Sequence, residues 1–142
     1  MSRTDLIDCI LGDWNENPEM QSICLAIVGY IHSTDSATLR HITFSTLLRE
    51  SNTQSYEAVL QAAGYLSGSV RLMDWRWEYI NDETGRCEEV DLSTYNAAKI
   101  DPANFSSPFS GTLEPDFLEH VYPYFVGNIS RETPDKAGES NE

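Results

Sequence analysis

Residues 75–79 read Trp-Arg-Trp-Glu-Tyr, an alternation of large rings with charges that suits a β-strand better than a helix. Strand side chains point to opposite faces with a period of two, so Trp75, Trp77 and Tyr79 share one face and Asp74, Arg76 and Glu78 the other. Asn81-Asp82-Glu83-Thr84-Gly85 follows. These are turn residues, with Gly85 free to take positive φ. Cys87 to Leu92 is the expected return strand. The chain must therefore hold an antiparallel pair with one aromatic and one charged face. Burial of the aromatic face against helices is the structural reading of Trp75 and Trp77. The functional reading is an interface, where tryptophan, tyrosine and arginine concentrate.

The helices to cover that face lie upstream. Asn17-Pro18-Glu19 places a capping side chain, a proline at the first helical position and an acid in the first turn. The helix they open carries Ile23, Ile27, Tyr30 and Ile31, and Ser33-Thr34-Asp35-Ser36 ends it. Before it, Thr4 to Trp14 reads as a short helix, with Thr4 as cap and Leu6, Ile7, Ile10, Leu11 and Trp14 on one face. After it, Leu39 to Phe44 is a short strand or a linker, and Ser45 to Arg49 a short helix. Ser51-Asn52-Thr53 breaks that helix and caps the next, about Gln54 to Leu66, which aligns Tyr56, Val59, Leu60, Ala63 and Leu66. Past Lys99 the signals weaken into a loop marked by Pro102, Pro108 and Gly111. Leu113 to Tyr122 is expected to form a last helix, interrupted by Pro123. Residues 131–142 are polar and expected to be a disordered tail.

Composition sets the class. With 142 residues, 40% hydrophobic and 11% aromatic, the chain can build one core and is too apolar for a disordered segment. We expect one domain over residues 1–130, with a core of about 18–99 and a C-terminal extension at 100–130. Three cysteines, Cys9, Cys24 and Cys87, are an odd, widely spaced set, which argues for free thiols in a reducing compartment. The N-terminus lacks the apolar run of a signal peptide, and no stretch nears the roughly 18 apolar residues of a membrane span. A cytoplasmic protein without membrane contact is expected. The net charge is −14, from 23 acids and 9 bases. Such a balance opposes non-specific binding to nucleic acid or anionic lipid and suits a basic protein surface.

Ile42-Thr43-Phe44-Ser45-Thr46-Leu47-Leu48-Arg49-Glu50-Ser51, then Ser55-Tyr56-Glu57-Ala58-Val59-Leu60-Gln61-Ala62-Ala63-Gly64-Tyr65-Leu66, give a short helix followed by one with a continuous packing face. With Val70 to Leu92 as a hairpin wing, the order over about residues 18–92 resembles the winged helix-turn-helix superfamily. The resemblance implies an α+β fold: a winged-helix-like helical domain with an antiparallel β-hairpin and a C-terminal extension. It also implies a DNA-binding role, with the third helix in the major groove. Gln54, Ser55 and Gln61 on that helix and Arg71, Arg76 and Arg86 on the wing then become the nucleic-acid contacts. The chain departs from this pattern where affinity is made. Residues 54–67 contain no lysine or arginine, and phosphate contacts need cations.

No motif points to catalysis. His32, His41 and His120 have no metal-site spacing, and no cysteine stands beside a histidine or near another cysteine. Glu88, Glu89 and Asp91 lack the spacing of a calcium loop, and no phosphate-cradling glycine loop occurs. The chain reads as a non-enzymatic macromolecule-binding module without a cofactor or metal. The expected partner is a protein with a basic surface, met through Asp74, Arg76, Glu78, Asp82, Glu83, Glu88, Glu89 and Asp91. The alternatives are a DNA-binding transcriptional regulator and an acidic mimic of DNA that inhibits a nucleic-acid-binding protein. A component of a larger assembly would expose an apolar patch around Phe117, Tyr122, Tyr124 and Phe125.

Overall fold

The structure, a computed structural model, describes residues 2–128; the expected tail at 131–142 lies outside them. Its first helix, α1 (Arg3–Asp13), is capped by Ser2, whose Oγ accepts the Asp5 N–H at 3.1 Å. Thr4, the expected cap, lies inside the helix. Helix α2 (Pro18–His32) opens as its start signal predicts: Asn17 Oδ1 accepts the Met20 N–H at 3.1 Å, and Pro18 takes a position that needs no donor. Met20, Ile23, Cys24, Ile27, Val28 and Ile31 are all buried along it, a stripe two side chains wide.

A 3-10 turn (Thr38–Arg40) buries Leu39 and leads to the two-residue strand β1 (Ile42–Thr43). Helix α3 (Phe44–Ser51) follows, capped by Thr43. It ends at Asn52, whose φ of 54° is a left-handed conformation that asparagine tolerates. Helix α4 (Tyr56–Gly68) starts two residues later than the sequence suggests. Ser55 is its cap, and Thr53 instead accepts the Ser55 N–H. Val59, Ala62, Ala63 and Leu66 are fully buried, and the two alanines permit close approach to a neighbouring helix. Helix α2 packs on both α3 and α4.

The hairpin is present as β2 (Met73–Ile80) and β3 (Cys87–Val90), antiparallel, with Trp77 opposite Val90, Glu78 opposite Glu89 and Tyr79 opposite Glu88. Asn81 Oδ1 accepts the N–H groups of Glu83 and Thr84, and Gly85 takes φ 75°. The return strand stops at Val90 rather than Leu92, because Asp91 caps a helix that the sequence reading passed over, α5 (Leu92–Ile100).

The expected helix over 113–122 does not form. Residues Phe117–His120 make a single 3-10 turn, and Val121–Gly127 become strand β4. The apolar spacing of Phe117, Leu118 and Val121 imitates a helix, but Val121-Tyr122-Pro123-Tyr124-Phe125-Val126 is strand-forming in composition. The sheet order is β1-β4-β2-β3, so the C-terminal strand stands next to β1 and the hairpin's return strand is at the edge. The chain is thus a mixed helix-and-sheet, α+β protein with four antiparallel strands.

The backbone divides into two compact units, one of residues up to Trp75 together with those from Phe125 on, the other Arg76–Tyr124. The first holds the larger core, built on Leu6, Ile10, Ile23, Ile27, Leu47, Leu66, Met73 and Phe125. The second has its own smaller core of Val90, Ala98 and Phe117, with Trp77, Tyr79, Tyr95 and Phe105 packed against it. Trp77 stacks on Tyr95 with centroids 4.3 Å apart, and Tyr79 on Phe117 at 4.9 Å. No helix among the described residues is long and apolar enough to cross a membrane.

Candidate interaction surface

The expected charged face of β2 is not a simple solvated face. Glu78 is only 7% exposed, whereas Trp75, Trp77 and Tyr79 are half-buried. Glu78 stands directly opposite Glu89, a like-charged cross-strand pair that is unfavourable unless a cation is close. Arg76 supplies it. Its guanidinium lies 3.9 Å from Glu89 and hydrogen-bonds the Tyr124 hydroxyl. Burial raises the pKa of that hydroxyl, the charge on Glu89 adds to the effect, and the bond from Arg76 opposes it.

The other predicted acids divide by role. Asp74 accepts the Asn128 Nδ2–H at 3.2 Å. Asp91 caps α5 by accepting the Thr94 N–H at 2.8 Å and the Ser93 hydroxyl at 3.1 Å. Its bonds to Thr94, then to Ser93, hold the carboxyl below its ordinary range. Glu88 pairs with Arg86 at 3.1 Å. Asp82 and Glu83 project from the turn, with Asp82 reaching His120 Nδ1 at 3.2 Å. Asp74, Glu78 and Asp91 are thus committed to the fold, while Asp82, Glu83, Glu88 and Glu89 remain on the surface.

Residues 76–124 carry ten carboxylates and three cations, a balance of −7. Each cation has a local partner: Arg76 has Glu89, Arg86 has Glu88, and Lys99 Nζ sits 5.9 Å from the centre of the Tyr95 ring. The nucleic-acid candidates are placed as follows. Gln54 and Gln61 are exposed at and along α4, but Ser55 spends its hydroxyl on the Ala58 N–H. Arg71 is exposed in a left-handed conformation at φ 53°, before β2. The apolar patch expected of an assembly component is absent. Phe117, Tyr124 and Phe125 are buried, and only Tyr122 is exposed. Other large apolar side chains are exposed within residues 76–124, at Leu92, Ile100, Phe109 and Leu113.

One cluster escaped the sequence reading. The 3-10 turn brings Asp116 and His120 together, with His120 Nε2 3.4 Å from Asp116 Oδ2. Glu114, just before it, accepts the Tyr79 hydroxyl at 2.6 Å, and this bond together with burial pushes the Tyr79 pKa up to about 12. The signal was Glu114-x-Asp116-x-x-x-His120, legible only once that segment is known to turn rather than run straight. Cys9 is half-buried, His32 Nδ1 bonds the Val28 carbonyl, and burial raises the Cys24 thiol to about 12, an unreactive value. A hollow of about 300 Å³ is lined by Ser93, Thr94, Ala97, Phe105, Ser106 and Pro108. It holds hydroxyls but no base.

Compared with protein-family models, with curated proteins and with solved structures, the chain gives no significant match to any of them.

Proposed function

We propose that the protein is a binding module that engages a basic protein partner through the acidic surface of residues 76–124. The observation that carries this reading is the excess of ten carboxylates over three cations in residues 76–124, with Arg76 and Arg86 already paired to Glu89 and Glu88. Cations already satisfied by neighbours have little left for phosphate, and log affinity for nucleic acid scales with the cations offered. An uncompensated negative field instead accelerates and selects encounter with a positive surface. Inhibition of a nucleic-acid-binding protein by mimicry is a special case of the same interaction, with the partner's phosphate site as its target.

The test compares the full chain with a Glu83→Lys/Glu119→Lys variant, both side chains being exposed. Each is used as bait in nuclease-treated host lysate, and captured proteins are quantified at low and high salt. The reading predicts a stoichiometric basic protein that survives nuclease, is released by salt and is lost with the double variant. Capture of nucleic acid, or of proteins that vanish with it, would instead favour the DNA-binding regulator.

A further inference from the structure

We propose that Glu114, Asp116 and His120 form a binding site for one divalent transition-metal ion, zinc by preference. The site is independent of the partner reading above. Its three donor atoms lie within 4.8 Å of one another, and among the described residues they are the group of histidine, cysteine and carboxylate side chains so placed. Pro115 fixes the backbone between the first two donors, and the turn is closed by the Phe117 N–H to Glu114 carbonyl bond and the Glu119 N–H to Asp116 carbonyl bond.

One distance within the cluster fits a shared ion. A charge-assisted N–H···O bond settles at about 2.7–2.9 Å. His120 Nε2 and Asp116 Oδ2 are 3.4 Å apart, long for that bond. Two ligands each about 2.1 Å from a tetrahedral ion stand about 3.4 Å from each other, which is the separation seen. Both ring nitrogens face carboxylates, Nδ1 toward Asp82 and Nε2 toward Asp116.

The support around the three ligands comes from a different part of the chain. Asp82, on the hairpin turn, accepts from Nδ1 and leaves Nε2 as the metal-facing nitrogen, the outer carboxylate that ligating histidines characteristically have. Tyr79, on β2, donates to Glu114 Oε2 and leaves the other oxygen for the ion. One imidazole and two carboxylates suit zinc, with manganese weaker. Calcium, which takes six to eight oxygens, fits poorly. With three protein ligands on a half-exposed turn, a fourth position stays open to water or to a partner's side chain.

The test is calorimetric titration of the metal-stripped full chain with zinc, manganese and calcium chlorides, together with the visible spectrum of the cobalt form. Expected are one zinc per chain, weaker manganese, no calcium, and cobalt absorption without a thiolate band. His120→Ala and Asp116→Asn should each lower zinc affinity at least ~30-fold, and Tyr79→Phe, which only loosens Glu114, about 10-fold. Cys87→Ser should change nothing. Circular dichroism reports whether each variant folds, and the near-isosteric Asp116→Asn decides if His120→Ala does not. Failure to bind zinc below ~100 μM, uptake that both ligand variants leave intact, or a thiolate band in the cobalt form would each overturn the proposal.

Discussion

At the scale of single residues, two contacts make sharp predictions. The Tyr65 hydroxyl donates to Asp13 at 2.6 Å, and its ring packs edge-on against Trp14. Tyr65→Phe removes the bond and keeps the ring, so we expect a loss of about 1 kcal/mol in urea unfolding. Burial first, and the bond to Asp13 second, raise the Tyr65 pKa in the folded state. The folded state thus favours the protonated phenol. The stabilisation is complete below the unfolded value of about 10 and is lost as pH climbs through the raised folded value. Ultraviolet titration of tyrosinate should show Tyr65→Phe losing a late-ionising step. Gly127 is the second site. A Cβ there would meet Leu39 Cβ and Cδ1 at 3.2 Å, and Leu39 is buried and cannot retreat. Gly127→Ala should lower stability by about 1–3 kcal/mol, measured in the same way.

At the scale of elements, caps decide boundaries. Asn17→Ala should cost about 1 kcal/mol through loss of the Met20 bond, and Asn17→Asp should restore it, with thermal unfolding as the readout. The same chemistry explains what the sequence disclosed. Helix α2 was legible because cap, proline and apolar rows agree, and the hairpin because Trp75 to Tyr79 alternates and Asn81 to Gly85 turns. Helix α5 was hidden because it buries only Ala98, so no apolar period marks it. Its one signal, Asp91 three residues before Thr94, was read as surface charge. Strand β4 was hidden by Pro123. The surface acids were legible by position but not by role, since Glu78 is buried on an inner strand, β2 between β4 and β3, while Glu89 opposite it stays exposed. The metal-ligand cluster depends on the 3-10 turn, which a helix reading of 113–122 conceals.

At the scale of the whole molecule, a charge of −14 repels itself. The folded state should therefore gain stability as salt screens that repulsion. Calorimetry between low and moderate sodium chloride should show Tm rising, the reverse of a protein held together by surface ion pairs. Arg76–Glu89 and Arg86–Glu88 are exposed pairs whose screening is too small to change the sign.

The position of β3 has a further consequence. It is the outer strand of the sheet, and one side of its backbone offers unpaired donors and acceptors to any extended chain that approaches. Cys-Glu-Glu-Val is what such a visitor would meet, two adjacent carboxylates in a strand of four residues. A second copy brings the same two charges, so growth of the sheet from molecule to molecule is opposed at every step. Replace Glu88 and Glu89 with valine, and the border becomes a template for fibrils.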